Sequence, residues 1–200
     1  LFISQCFFAQ QLSSGSSHNA VIKNDGTLWA WGNNSNSQLG DGTNINKNSP
    51  IKIGSNYDWK TVYTGYRNTF AIKNNGTLWG WGNNFSGQLG DGTTITKTTP
   101  TQIGIGNDWE KFSTRSSHSL AIKKNGTLWA WGYNGAGQLG DGTTTSKLIP
   151  KQIGVSSNWK SISVGSDYSI ALKTDGTLWA WGYNLDGQLG DGTNINKLTP

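Results

Sequence analysis

The chain has 200 residues, including 28 glycines, 11 tryptophans and one cysteine, and it carries only 14% charged residues for a formal net charge of +5. Plentiful aromatic and β-branched residues exclude a disordered chain, and a single cysteine excludes a disulfide framework or a cysteine-based metal site. The positive charge is nearly all lysine, spread over regular positions. We interpret it as charge that keeps strand edges soluble and unpaired, and we expect no nucleic-acid partner.

The first nine residues are apolar and uncharged, and they end at a small residue, Ala9. They are too short to span a bilayer, but they are typical of the end of a secretory apolar segment followed by a cleavage site. We therefore expect residues 1–9 to be the tail of a truncated signal peptide, with export to the exterior or the cell surface. The alternative is a degenerate first strand, which would place the protein in the cytoplasm. No membrane span is expected.

From residue 10 to residue 200 the sequence repeats with a period of 50 residues and no insertion or deletion. One repeated segment reads Thr-Leu-Trp-Ala/Gly-Trp-Gly, and a second, a short way downstream, reads Gln-Leu-Gly-Asp-Gly-Thr. A fixed period of this size marks a solenoid, a propeller or an array. The repeats run over about 10–58, 59–108, 109–158 and 159–200. The last one lacks the short segment that follows Pro150, so we expect the chain to be part of a larger ring.

The second repeat shows the strands predicted for every repeat. Strands are predicted over 59–64, 69–73 and 77–82, and a short fourth strand begins at Pro100 and ends near Ile103. The second and third strands are joined by Asn75-Gly76, because an Asn-Gly pair between apolar runs favours a tight hairpin. Four antiparallel strands in 40–50 residues are typical of a propeller blade. The predicted fold is therefore an all-β propeller of four-stranded antiparallel blades.

Two stretches of the third repeat resemble a known family. Residues 131–142 read Trp-Gly-Tyr-Asn-Gly-Ala-Gly-Gln-Leu-Gly-Asp-Gly, and residues 115–122 read Arg-Ser-Ser-His-Ser-Leu-Ala-Ile. They resemble the repeat of the regulator of chromosome condensation family, and the resemblance extends from about Leu12 to the end of the chain. It implies a propeller, typically of seven blades, of which four repeats would form an open arc. The sequence departs from the family pattern at Arg115, which replaces a glycine of the pattern. It also departs at Asn68 and Tyr168, which occupy the repeat position where the other two repeats have His18 and His118, both of which fit the pattern.

The resemblance also implies candidate functions. Some members of the family are guanine-nucleotide exchange factors for a small GTPase and act through one face of the propeller. A secreted relative inhibits a β-lactamase with its loops. No exchange or inhibitory residues can be matched in this sequence, so a guanine-nucleotide exchange factor-like regulator stays an alternative that depends on resemblance alone.

Each repeat contains a pair of tryptophans, which could form either a stacking platform for sugars or the core between blades. We favour the core, because a buried indole removes about 150–250 Å² from water. The predicted core residues are Trp29, Trp31, Trp79, Trp81, Trp129, Trp131, Trp179 and Trp181. A further tryptophan begins the first strand of three repeats, at positions 59, 109 and 159, and we expect partial exposure there.

The acidic and histidine residues do not indicate a metal or catalytic site. Asp41, Asp91, Asp141 and Asp191 each stand alone in a Gly-Asp-Gly-Thr turn, whereas Ca²⁺ requires about six to eight oxygen ligands. We predict turn carboxylates that bind their own backbone. The two histidines lack acidic or cysteine neighbours and are predicted to be hydrogen-bonded turn residues. With no nucleophile–base set, the sequence predicts no enzyme, no metal and no cofactor.

The turns that differ most between repeats are predicted to lie on one side of the propeller. Strands alternate in direction, so the first-to-second and third-to-fourth connections share that side. Binding residues commonly lie on loops held by a rigid scaffold. The predicted partner-binding residues are Tyr66, Arg67, Asn68, Phe85, His118, Tyr133, Asp167, Tyr168, Tyr183 and Leu185.

Together these features predict a non-catalytic protein-binding scaffold, exported by a bacterium, whose protein partner is unidentified. A carbohydrate-binding or adhesive surface module, with a glycan as ligand, is the alternative. The chain should also self-associate when expressed alone, because the end blades would leave sheet faces uncovered.

Overall fold

The structure, a computed structural model, describes residues 9–200, and this part of the chain contains fifteen strands and no helix. The predicted signal-peptide tail therefore lies outside the described residues, apart from Ala9, which begins the first strand. No helix in the described part of the chain is long and apolar enough to cross a membrane.

The strands form four antiparallel sheets, one per repeat, in which sequence neighbours pair. The first sheet comprises β1 (Ala9–Ser14), β2 (His18–Lys23), β3 (Leu28–Gly32) and β4 (Lys47–Lys52). The second comprises β5 (Trp59–Thr64), β6 (Asn68–Lys73), β7 (Leu78–Gly82) and β8 (Lys97–Gln102). The third comprises β9 (Trp109–Thr114), β10 (His118–Lys123), β11 (Leu128–Gly132) and β12 (Lys147–Gln152). The fourth comprises β13 (Trp159–Val164), β14 (Tyr168–Lys173) and β15 (Leu178–Gly182).

Each sheet is a propeller blade, as predicted, although the fourth strand of the last blade is reduced to a single bridge between Gly182 and Lys197. The first strands of successive blades contact one another, which places them nearest the axis. The fourth strands lie outermost and contain no buried residue. Across the described residues the four sheets do not close into a ring.

The hairpin between the second and third strands has the same geometry in every blade. In the second blade the Asn75 side chain accepts hydrogen bonds from the Thr77 amide (3.1 Å) and the Thr77 hydroxyl (2.8 Å). The Thr77 hydroxyl oxygen accepts one from the Trp79 indole at 2.9 Å. Gly76 has a φ of 82°, which an L side chain rarely adopts. The repeated Asn-Gly and Asp-Gly pairs therefore set the hairpin and orient the first indole of each pair.

The hydrophobic core consists of three clusters, one at each junction between blades. At the first junction Leu28, Leu39 and Ile53 of one blade pack against Trp59 and Trp81 of the next. The second tryptophan of the pair is completely buried in the second, third and fourth blades and partly buried in the first. The first tryptophan is partly buried in all four. The indole pairs of the second, third and fourth blades therefore belong to the inter-blade packing.

The prediction for Trp59, Trp109 and Trp159 was wrong, because all three are buried. The Trp59 ring lies 5.9 Å from Trp79 and 6.3 Å from Trp81, centroid to centroid. The first strand of a blade is the inner one and faces the preceding blade, so an indole at its start enters the junction. Each of these three blades therefore contributes three indoles to its core.

Candidate binding face

The two faces of the propeller are defined by the connections between strands. We call the side with the first-to-second and third-to-fourth connections the loop face, and the other side, with the tight hairpins, the hairpin face. On the loop face the two connections of a blade are joined by a main-chain hydrogen bond, such as Asn83 N to Arg67 O at 2.9 Å. The corresponding bond in the fourth blade, from Tyr183 N to Asp167 O, is also 2.9 Å long.

The long loops of this face are attached to the next blade through one main-chain carbonyl. The Gln38 carbonyl accepts hydrogen bonds from the Thr69 hydroxyl (2.7 Å) and the Trp81 indole (3.0 Å). The carbonyls of Gln88 and Gln138 do the same at the next two junctions. The Gln-Leu-Gly segment therefore connects each blade to its successor, and it holds the loops in a fixed position.

Each long loop is also cross-linked internally by its buried asparagine and its aspartate. The Asn84 amide donates to Asp91 at 3.0 Å and to the Thr93 carbonyl at 3.0 Å. Asp91 accepts from the Thr93 amide (3.0 Å) and pairs with Lys97 at 2.9 Å. Burial disfavours ionisation of Asp91, but hydrogen bonds from Lys97 and Thr93 outweigh it and hold its carboxyl pKa below the usual value.

The prediction that these aspartates bind their own turn is confirmed in all four blades. Within residues 9–200 no cluster of three histidine, cysteine or acidic side chains could hold a metal ion. The Asp–Lys pairs also show that one set of repeated lysines neutralises loop carboxylates, in addition to carrying surface charge.

Two residues of the predicted partner-binding set, Asn68 and His118, are buried, so their assignment to the surface is corrected. His18 and His118 begin second strands rather than lying in turns. The His118 Nε2 atom lies 2.9 Å from the Ser169 hydroxyl, which itself donates to the Gln138 carbonyl at 2.8 Å. Nε2–H is therefore the donor to that hydroxyl oxygen.

Burial of these imidazoles disfavours their charged form. It lowers the pKa of His118 to about 3. For His18, burial is likewise the main cause, and a hydrogen bond with the Asn68 backbone opposes it only in part, so that the pKa is lowered to about 4. Both histidines are neutral at pH 7 and serve the junction between blades.

The other predicted residues lie on the loop face with part or most of their side chains exposed. Phe85 is 74% exposed, Leu185 57% and Tyr66 48%, and the Arg67 guanidinium lies 4.9 Å from the Tyr66 ring. Tyr133 is also exposed. Asp167, Tyr168 and Tyr183 are partly buried.

A cavity of about 570 Å³ opens at the axial end of the same face. It is bounded by the ends of the four first strands and their turns, and Tyr66 and Arg115 are its largest lining side chains. Sequence reasoning identified Arg115 only as a departure from the family pattern and did not include it among the binding residues. The replacement of a repeat glycine by arginine was the available signal.

The fold and the repeat geometry define a β-propeller of four-stranded blades with a rigid frame and variable loops. The chain belongs to the RCC1-like domain family, whose model matches residues 4–200. Among curated proteins, it is 36% identical over 66 residues to the ultraviolet-B receptor UVR8 of Arabidopsis thaliana. That match covers 32% of this chain and 15% of the receptor.

Solved structures with the same fold include yeast and human proteins. Prp20p from Saccharomyces cerevisiae superposes with a TM-score of 0.87 at 22% identity, over 98% of this chain and 50% of that protein. Human WBSCR16 superposes with a TM-score of 0.84 at 23% identity, over 96% of this chain and 51% of that protein. The chain thus spans about half the length of these structures, and at this identity the likeness shows the fold alone.

Proposed function

We propose that the protein is a non-catalytic scaffold that binds a protein partner through its loop face. The observation that carries the proposal is the set of exposed aromatic, aliphatic and arginine side chains at the loop tips. Their supporting loops are held by hydrogen bonds that recur from blade to blade. Tyrosine and arginine are common energetic anchors of protein interfaces. A rigid frame also lowers the entropy cost of ordering loops when a partner binds.

The family also supports protein binding as the general activity. The structure of Prp20p is described together with its binding to Gsp1p and histones, and another structure shows Kap60 bound to yeast RCC1 (Prp20). These partners belong to those proteins. For this chain they support only the general class of activity.

The buried indoles favour protein over sugar as the ligand of the loop face. Trp81, Trp131 and Trp181 are completely buried, so they present no ring face on which a sugar could stack. The exposed aromatic rings of the loop face are instead Tyr66, Phe85 and Tyr133.

We further propose export from a bacterial cell, to the exterior or the cell surface. The support is the apolar, uncharged stretch of residues 1–9 ending at a small residue. Mass spectrometry of the mature N-terminus, on protein purified from the source organism, is expected to find a chain that begins near Gln10. A mature protein that retains residues 1–9 would contradict export by this route.

The loop-face proposal is tested in the full-length protein with alanine at Tyr66, Arg67, Phe85, Tyr168 and Leu185. Chemical cross-linking in the source organism, followed by mass spectrometry, identifies proteins captured by the unmodified chain. We expect the variant to lose them while circular dichroism and the unfolding midpoint stay unchanged. Alanine at Tyr57, Ile105 and Val155, which are exposed on the hairpin face, is the matched control and should retain capture. Capture by the loop-face variant, with the fold intact, would overturn the proposal.

A further inference from the structure

The two arginines of the chain lie in neighbouring turns of the loop face. Arg67 belongs to the first-to-second turn of the second blade, and Arg115 belongs to the same turn of the third blade. A hydrogen bond from Tyr66 N to Arg115 O joins the two turns. Both blades pack against a neighbouring blade on each side within residues 9–200, so two junctions fix the position of each turn.

The third blade carries Arg115 at a position where the other three blades have glycine. In the second blade a Cβ atom at Gly65 would lie 2.1 Å from Asn68 Oδ1, and Gly65 N donates to Asn68 O at 2.9 Å. In the third blade the corresponding carbonyl, that of His118, accepts from the Thr114 hydroxyl at 3.3 Å. The turn around Arg115 therefore has its own hydrogen-bond pattern, and this pattern accommodates a long cationic side chain.

The two guanidinium groups are not neutralised within the described part of the chain. None of the ion pairs among residues 9–200 involves Arg67 or Arg115. Both side chains are exposed, and the Arg67 guanidinium lies 4.9 Å from the centre of the Tyr66 ring. Asp167, which replaces Arg67 in the equivalent turn of the fourth blade, accepts from the Gln138 amide at 3.1 Å. The arginines are therefore available to an acid outside the chain.

The cavity of about 570 Å³ at the axial end of the loop face, here called the axial cavity, has a lining that favours a single negative charge. Apart from Arg115 and Tyr66, serine, threonine and glycine residues and Val164 line it. Neither an acidic residue nor a lysine is among these lining residues. One guanidinium matches the charge of one carboxylate and can bind both of its oxygens. A phosphate group, by contrast, carries about −1.5 to −2 charges at pH 7.

We propose that the partner of the loop face presents an acidic segment, and that one aspartate or glutamate side chain of this segment enters the axial cavity. Its carboxylate accepts two hydrogen bonds from the Arg115 guanidinium, and hydroxyl groups of the lining donate to its remaining lone pairs. Arg67, on the other side of Tyr66, attracts a second acidic residue of the same segment. This role of Arg115 rests on the function proposed for the loop face and specifies the chemistry of the partner.

Capture by cross-linking in the source organism tests the role of Arg115 in the full-length protein. Arg115→Gly introduces the residue that the other three blades have at this position, so we expect the fold to be kept. It should lower the yield of captured protein at least about fivefold, whereas Arg115→Lys keeps the charge and should lower it less. Lys60→Gln is the matched control. It removes one exposed positive charge at the hairpin-face end of β5 and should leave the yield unchanged.

A water-soluble carbodiimide tests whether the group in the axial cavity is a carboxylate. The reagent joins a lysine amine to a carboxylate as an amide and takes up the water that is lost, so that it becomes a urea. In Arg115→Lys we expect mass spectrometry to find residue 115 coupled to an aspartate or glutamate of the captured protein. In Tyr57→Lys, where the new amine lies on the hairpin face, we expect no coupling of residue 57 to that protein.

The results distinguish this inference from the proposed function. Equal capture by Arg115→Gly and the unmodified protein would overturn the acidic-segment inference and leave loop-face binding in place. So would capture by Arg115→Lys without any coupling of residue 115 to a carboxylate of the captured protein. Retained capture by the loop-face variant with five alanines would instead overturn the proposed function, and this inference with it.

Discussion

One position at the start of the second strand differs from blade to blade, with His18, Asn68, His118 and Tyr168 in succession. A histidine here reaches the hydroxyl of the next blade. Asn68 is buried, and both polar atoms of its side chain lack a partner among the described residues. The shorter amide thus leaves the hydroxyl of Ser119 without the donor that the equivalent hydroxyls of the other two junctions receive. The buried and unpartnered Asn68 side chain therefore destabilises the junction between the second and third blades.

Replacing Asn68 with histidine should stabilise the protein. The new Nε2–H would donate to the Ser119 hydroxyl oxygen, whose own proton already goes to the Gln88 carbonyl at 2.9 Å. Satisfying a buried polar group is worth about 1–2 kcal/mol in the free energy of unfolding. Urea denaturation of the unmodified chain and of Asn68→His would show the gain, and His118→Asn, the reverse change, should lower stability by a similar amount. A lower midpoint for Asn68→His would contradict this account.

The buried histidines should also make stability depend on pH. Their folded pKa values, about 4 for His18 and about 3 for His118, lie below the usual histidine value of 6.5. Between the folded and the unfolded pKa of each histidine, the unfolded chain binds more protons than the folded chain. The stabilisation that each neutral histidine contributes is therefore complete above pH 6.5 and is lost as the pH falls. At pH 5 we expect a loss of up to about 2 kcal/mol per histidine relative to pH 7.5.

Denaturation curves at pH 7.5 and pH 5 measure this effect, with His118→Asn as the comparison. The variant should lose about half of the pH dependence, since one titrating imidazole remains. The loop aspartates contribute little in this window, because their pKa values are lowered from 3.8. Parallel curves for the two proteins would show that His118 does not titrate as its burial implies.

The loop between the third and fourth strands acts as the connector of the propeller. Gly90 has a φ of 79°, and a Cβ atom there would lie 2.6 Å from the Trp131 indole nitrogen. That indole donates to the Gln88 carbonyl at 2.9 Å. Gly190 occupies the equivalent position in the fourth blade with a φ of 69°, and a Cβ there would meet nothing within 4 Å. The two glycines therefore share a backbone conformation but differ in their contact with a following blade.

Gly90→Ala should destabilise the protein more than Gly190→Ala. Both changes strain the backbone, by about 1–2 kcal/mol, but only the first forces a methyl group into an indole. The overpacking adds about 1–3 kcal/mol. Urea denaturation of the two variants gives the difference, and the NMR shift of the Trp131 indole proton should move in Gly90→Ala alone. Equal losses for the two variants would mean that backbone strain accounts for the whole effect.

Across the molecule, the leucine at the start of the third strand of each blade shows how far a neighbouring blade buries apolar side chains. Leu128 is completely buried, whereas Leu178 is 70% exposed on the uncovered side of the fourth blade. Ile170 and Leu172 line the same side, around a shallow groove of about 150 Å³. The uncovered face of this chain is apolar, so the isolated chain should self-associate.

Replacing Leu178 with serine should reduce self-association and leave the free energy of unfolding nearly unchanged, since an exposed side chain loses little. Leu128→Ser should instead cost about 2–5 kcal/mol, because it leaves a cavity at a junction. Light scattering over a range of concentrations measures the first effect, and urea denaturation measures the second. A chain that is already monomeric at high concentration would contradict the prediction of self-association.

Local pattern predicted the blades, because its signals lie within a few residues of one another. Asn75-Gly76 marked the hairpin, and the alternation around Trp79 and Trp81 marked the third strand and its two faces. Asp91 was assigned to its own turn because its partner, Thr93, lies two residues away. In each of these cases the interactions that set the local structure join residues that are close together in the chain.

The repeat, the four-stranded blade and the turn chemistry could all be predicted from the sequence alone. Only the tertiary structure showed that Trp59 is buried and that Asn68 and His118 lie inside a junction. It also brought Tyr66 and Arg115 together at one cavity on the loop face. These outcomes depend on how successive blades stack and twist about the axis. That arrangement places side chains about fifty residues apart in contact, a distance over which local pattern carries no information.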